Sequence, residues 1–220
     1  AEQRFTADAS HELRSPLSAI QMRLQVLKRK YQGDAQLPQA LQLIQNDVNR
    51  GTQVLENLLL LARLDPERTE QLPTQTINLK NLVQEALQAL QPFAEEKDIH
   101  WNLNLEDAVI EANPELIFSC IRNLVDNAIR YTPPQGQVEI RTVVEQHQIQ
   151  LLIENSGEGI TDDVLERLGE RFYRALGTRT QGSGLGLSIC QKIMALHAAK
   201  IDYAPSDLGG LKVLLSFKLE

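Results

Sequence analysis

Apolar residues at Leu13, Leu17, Ile20, Leu24, Leu27 and Tyr31 follow one another at spacings of four, three, four, three and four. That alternation is the seam of a helix that packs along its length against other helices, and it predicts a helix over about 6–31. A second seam at Leu37, Leu41, Ile44, Val48, Gly51, Leu55, Leu58 and Ala62 predicts another, stopping near Leu64-Asp65-Pro66. Gln32-Gly33-Asp34 and Pro38 make the turn between them. One helical hairpin cannot enclose its own apolar stripes, so two copies are expected to close a four-helix bundle as a homodimer.

His11 lies off the first seam, so its imidazole is expected to face water. Glu12 is its neighbour, and Ser15 stands one turn on, on the same face. Pro16 lacks the amide that would reach back to Glu12, and the helix should bend there. A lone exposed histidine is ordinarily plain surface. Beside a carboxylate on a weakened helix, this one has the makings of a reactive site.

The chain has 220 residues, 42% of them hydrophobic, which allows one large or two small domains with real cores. A net charge of −7 argues against nucleic acid as a partner. Cys120 and Cys190 fall in apolar, helix-like surroundings without CxxC spacing, pointing to reduced core thiols and a cytoplasmic setting. The longest apolar run, Leu58 to Ala62, is far short of a membrane span. No signal peptide is visible and the chain opens on Ala1, so the expectation is a cytoplasmic piece of a longer protein. The polar stretch around Pro66 to Pro73 predicts a linker, giving expected domains at 1–68 and 77–220 with the linker at 69–76.

Beyond the linker the pattern changes. Expected elements are a strand at 76–79, a helix at 79–96, an alternating strand at 99–105 and a helix from about 114 to 131. Strands at 138–144 and 149–154, a short helix at 162–168 and a helix at 185–197 follow. Strands near 201–203 and 211–219 complete the order. Strands and helices mix without βαβ alternation, so an α+β sandwich is expected, a mixed sheet with helices on one face.

No GxxxxGK[ST] sequence occurs, which excludes a P-loop. Gly182-Ser183-Gly184-Leu185-Gly186 is GxGxG rather than GxGxxG, and no strand feeds it, which counts against a dinucleotide fold. A glycine run opening onto a helix start still offers bare amides and a positive dipole end to phosphate. Asn123 and Asn127 stand one turn apart on one helix face, where carboxamides are poor helix formers. They either bond to neighbouring loops or act at a site, with the Asn127 oxygen a hard ligand for Mg²⁺. Asn155-Ser156-Gly157-Glu158-Gly159 ends a buried strand in a turn that would admit a flat ring.

Phe5 to Leu17, FTADASHELRSPL, resembles the phosphoacceptor box of bacterial two-component sensor histidine kinases. The blocks around Asn123–Tyr131, Asn155–Ile160 and Gly182–Leu187 resemble that family's N, G1 and G2 boxes, and Glu170–Arg174 its F box. The phrases GERFYR and GSGLGLSI are most similar to the QseC/PmrB group of proteobacterial sensors. The resemblance covers essentially the whole chain. It implies a dimerisation and phosphotransfer domain followed by an ATP-binding domain of the gyrase, Hsp90, histidine kinase and MutL type. It implies MgATP-dependent phosphorylation of His11, then transfer to an aspartate on a response-regulator receiver domain, and regulator phosphatase activity involving Ser15. Sensor and transmembrane regions would lie upstream, and the chain would be the cytoplasmic part of an inner-membrane protein.

By the same resemblance Glu12 would orient or deprotonate His11, Asn127 would hold Mg²⁺, and Asn123 would assist near the γ-phosphate. Arg130 and Tyr131 would flank the phosphates. Asn155, Gly157, Gly159, Phe172, Arg174, Gly182, Gly184, Leu185 and Gly186 would line the nucleotide site. Residues Ala175–Ser183 would form a lid, with Arg171, Arg174 and Arg179 offsetting phosphate charge. Two positions depart from the family. Its adenine-reading aspartate is Asn155 here, a neutral acceptor, and Ser15 stands where threonine or asparagine is usual. The alternatives are a catalytically weak dimeric module that binds the regulator, and an ATPase that never phosphorylates itself.

Overall fold

The structure, a computed structural model, describes residues 20, 22–27, 29, 41, 44, 48, 52, 72–168 and 186–219. The chain divides into two compact units, Ala1–Leu64 and Asp65–Glu220. In the first, every described residue is helical. Leu24 and Leu41, both on predicted seams, are buried, while Ile20, Leu27 and Ile44 of the same seams are exposed. The ends of both predicted helices and the turn at 32–38 lie outside the described residues.

The second unit runs β1 (Gln75–Asn78), α1 (Leu79–Glu96), β2 (His100–Asn104), β3 (Val109–Ala112), α2 (Pro114–Tyr131), β4 (Gln137–Val144) and β5 (Gln148–Ser156). It continues through α3 (Asp162–Arg167), α4 (Gly186–Leu196), β6 (Lys200–Pro205) and β7 (Gly209–Lys218). Five strands form one mixed sheet in the order β2-β4-β5-β7-β6, and β1 pairs with β3 in a separate two-stranded sheet. The β2–β4 pair is parallel, and the other pairs are antiparallel. The α+β sandwich expected from the sequence is the fold observed.

Local chemistry sets the helix starts. Asn78 caps α1 by accepting from the Lys80 amide at 3.1 Å, and Asn113 caps α2 by accepting from Leu116 at 3.0 Å. Pro114 follows in the first turn of α2, where a missing amide costs nothing. The face of α2 formed by Ile117, Cys120, Ile121, Leu124, Val125, Ala128 and Ile129 is buried. It packs against α1, α4 and β5. From the sheet, Val138, Ile140, Ile149, Leu151, Ile153, Val213, Leu215 and Phe217 supply the facing core. Each fully buried residue of this size is worth about 1.5–3 kcal/mol of apolar burial. Cys120 and Cys190 are buried free thiols within that core. Among the described residues no helix is long and apolar enough to cross a membrane.

Strand β3 was not among the expected elements. Its buried positions are Ile110 and Ala112, and four residues with one small and one charged member are too few to show a period until β1 pairs with them.

Asn113 also ties three segments together. Its amide donates to His197 Nε2 at 3.0 Å, and its Nδ2 donates to the Pro73 carbonyl at 2.9 Å. His197 Nδ1 lies 2.7 Å from the Ile193 carbonyl, so Nδ1 carries the proton and Nε2 accepts. Burial holds this imidazole below its ordinary pKa of 6.5. A folded-state pKa below the unfolded one gives stability that is complete above the unfolded value and lost as pH falls through it. Stability against urea should therefore fall as the pH drops below the ordinary histidine value of 6.5, and His197→Gln should lose that component of the pH dependence.

Candidate nucleotide site on helix α2 and strand β5

The face of α2 turned away from the core carries Asn123, Asp126, Asn127 and Arg130, all half-buried, with Tyr131 ending the helix. The Asn123 amide donates back to the Ser119 carbonyl at 2.8 Å. Its oxygen faces the start of α4, where a Cβ on Gly186 would lie 3.3 Å away. A side chain at Gly186 would thus crowd the Asn123 carboxamide by a few tenths of an ångström. Arg130 pairs with Asp126 one turn earlier, at 2.8 Å, which aligns the guanidinium along the helix. The Asn127 carboxamide has no hydrogen-bond partner among the described residues.

Strand β5 delivers the second half. Its register against β7 shifts between Glu154, opposite Lys212, and Ser156, opposite Gly209, which leaves Gly210 and Leu211 facing the single residue Asn155. Asn155 is 4% exposed. Its Oδ1 accepts from the Leu211 amide at 3.2 Å, and its Nδ2 donates to the Ser156 carbonyl at 3.0 Å. Gly210 is needed here, because a Cβ on it would lie 2.4 Å from the Asn155 carbonyl oxygen. A Cβ on Gly157 would sit 3.0 Å from the Tyr131 carbonyl and 3.3 Å from Asn155 Nδ2. Tyr131, Gly157, Asn155 and Gly210 are therefore in close succession, and residues far apart in sequence meet at the end of α2. Gly159 is not confined in this way, since the nearest contact of its Cβ would be 4.0 Å away.

Glu154 points to the opposite face of its strand, as alternation requires. It accepts from Ser206 Oγ at 2.7 Å, with Arg141 Nη2 at 3.6 Å and Lys212 Nζ at 3.7 Å. Two cations and a hydroxyl thus surround a carboxylate that is almost wholly buried, as a buried charge demands.

Of the sequence-predicted residues, Asn123, Asn127, Arg130 and Tyr131 lie along α2, Asn155 at the end of β5, Gly157 and Gly159 in the loop after it, and Gly186 at the start of α4. His11, Glu12, Ser15, Phe172, Arg174, Gly182, Gly184 and Leu185 lie outside the described residues, as do Arg171 and Arg179. Sequence reasoning passed over Gly210 and Leu211, which hold Asn155. The Leu208-Gly209-Gly210 run was the available signal, and Gly209 does take a left-handed conformation at φ 104°.

Asn155→Asp keeps an oxygen for Leu211 but sets a second acceptor against the Ser156 carbonyl. The nucleotide-free protein should lose about 1–3 kcal/mol of stability in urea denaturation. Unchanged stability would show that the Ser156 bond contributes nothing.

Residues 1–67 match the His Kinase A (phospho-acceptor) domain, and residues 112–220 match the histidine kinase-, DNA gyrase B-, and HSP90-like ATPase domain. Sensor protein QseC of Escherichia coli strain K12 is 34% identical over 218 residues, covering 98% of this chain and 47% of that protein. Sensor protein kinase PmrB of Pseudomonas aeruginosa is 36% identical over 203 residues, covering 91% of this chain and 42% of that protein. The solved catalytic domain of histidine kinase ThkA matches with a TM-score of 0.60 and 27% identity, over 66% of this chain and 97% of that one. The chain spans about half the length of the curated relatives it matches. With a phospho-acceptor domain followed by an ATPase domain of this type across most of its length, the chain belongs to the histidine kinases.

Proposed function

We propose that this chain is the catalytic core of a sensor histidine kinase, moving the γ-phosphoryl group of MgATP to His11 and then to an aspartate of a response-regulator receiver domain. The observation that carries the reading is the joining, in one chain and in this order, of a phospho-acceptor match holding His11 and an ATPase match holding α2 and β5. A module that binds the regulator without phosphorylating itself has no comparable support.

In this reading a ring nitrogen of His11 attacks the γ-phosphorus, the bond to the β–γ bridging oxygen breaks, and ADP leaves. Glu12 takes the proton from, or orients, the other ring nitrogen so that the attacking one offers a lone pair. Little else is asked of the protein than alignment and charge neutralisation. Asn127 fits a Mg²⁺ ligand: it is a half-buried hard oxygen donor, free of other partners among the described residues. Mg²⁺ would neutralise phosphate charge there. Asn123 assists at the γ-phosphate, Arg130 and Tyr131 flank the phosphates, and Asn155, Gly157 and Gly159 serve the base. Phe172, Arg174, Gly182, Gly184, Leu185 and Gly186 close the site. Ser15 takes part in removing the regulator's phosphate.

The core works as a homodimer through its first unit. Ile20, Leu27 and Ile44 are exposed in the single chain, and a second copy would cover them. Residues 1–68 then form the dimerisation and phosphotransfer domain, 69–76 the linker and 77–220 the ATP-binding domain. The reading puts the core on the cytoplasmic side of a membrane-anchored sensor, where ATP is supplied.

Incubation with γ-labelled ATP should give a phosphoprotein that is labile in acid and stable in base. His11→Ala should abolish the label and leave ATP affinity unchanged within about twofold, because nucleophile and nucleotide belong to different domains. A labelled His11→Ala protein would overturn the assignment. Asn127→Ala should lower the phosphorylation rate by roughly 100-fold or more while leaving the fold intact, and should blunt its Mg²⁺ dependence.

A further inference from the structure

Lys97 is the first residue after α1, and a lysine at a helix end is ordinarily solvated. Here its Nζ donates to three backbone carbonyls, of Ile129 at 2.9 Å, Arg130 at 2.7 Å and Thr132 at 2.8 Å. An ammonium has three protons, so each is used. The accepting carbonyls belong to the end of α2, where a helix leaves its last oxygens without internal partners and its dipole is negative. The Ala128 carbonyl is taken by the Thr132 amide and hydroxyl. Tyr131, the remaining residue of that turn, has its carbonyl against Gly157. The Lys97 backbone takes part as well, its carbonyl accepting from the Gln135 amide at 2.8 Å. The last turn of α2 is thus clamped between Lys97 and the loop after β5.

We infer that Lys97 is a positioning residue for the nucleotide: its ammonium fixes the last turn of α2 and thereby aims Arg130 and Tyr131 at the triphosphate. The inference rests on the nucleotide reading of α2. Lys97 touches no substrate in this account and acts only through the turn it caps. Burial, and then the neighbouring Arg130 charge, hold its ammonium below the ordinary lysine range. Glu96 and Asp126 pull the other way, and the three carbonyls accept all of its protons.

Lys97→Met keeps the aliphatic stem and removes the charge, while Lys97→Arg keeps the charge. In phosphorylation assays on the whole chain, Lys97→Met should raise the KM for MgATP roughly tenfold and change kcat less than about twofold. Lys97→Arg should restore most of the affinity. Arg130→Ala should raise the KM as well, and adding Lys97→Met to it should cost less than Lys97→Met costs alone, because one of the two groups it acts through is gone. A purely structural lysine would lower the melting temperature and leave the KM of the folded protein unmoved, and a lysine acting independently of Arg130 would add its full KM effect to Arg130→Ala. Either of the last two results overturns the inference. If Lys97→Met does not fold, Lys97→Gln takes its place under the same criteria. If the wild-type chain takes up no label, the phosphotransfer reading fails. MgATP titration calorimetry on the same variants then decides the role of Lys97, with an unchanged Kd in Lys97→Met refuting it.

Discussion

The two-sidedness of α2 is the constraint on which the second unit depends. One face, from Ile117 to Ile129, must be buried for the sheet and the other helices to have a core. The opposite face is thereby turned outward with its carboxamides, carboxylate and guanidinium. A rotation of α2 by one residue, about 100°, that buried Asn127 would expose Val125 and Ile129, and apolar burial of about 1.5–3 kcal/mol per side chain opposes that. The orientation of the polar row is therefore enforced by packing on the other side. Gly186 and Gly157 then let α4 and the loop after β5 approach that row closely.

The end of β5 applies the same logic to a strand. Glu154 and Asn155 are neighbours that face opposite ways, and both are buried. Each is satisfied by groups of the β6–β7 hairpin: Ser206 of its turn for Glu154, the Leu211 amide of β7 for Asn155. The shift in register that frees Asn155 also brings Gly209 and Gly210 beside it. The chain between Ser206 and Leu211 is shaped as much by these two polar side chains as by its own turn.

Much of this was legible in the sequence, and the exceptions share a cause. The helices at 79–96 and 114–131 carry apolar residues at helical spacing, and the core strands carry clean alternation. Asn123 and Asn127 stood out because carboxamides are poor helix formers, and Asn155 through the family resemblance. The partners of Asn155 did not, since Leu211 lies 56 residues away and is reached only through strand pairing. Lys97 was invisible for the same reason. Its acceptors are backbone carbonyls 32 to 35 residues on, and nothing in side-chain chemistry marks a carbonyl as unpaired. Strand β3 escaped because its four residues are too few to show a period of their own.

The single parallel pair among the described strands bears on how the second unit assembles. The β4–β5 and β6–β7 pairs join neighbours through short connections and can zip locally, whereas β2 must wait for β3, α2 and β4. Loop closure makes such non-local pairing late and slow. Lys97 stands three residues before β2, and the His100 amide opening that strand bonds to the Gly136 carbonyl just past α2. Docking of the sheet's edge and capping of α2 therefore belong to one late event. Amide hydrogen exchange in β2 and in the last turn of α2 is set by the same opening equilibrium, and whatever grips that turn also holds the edge of the sheet shut.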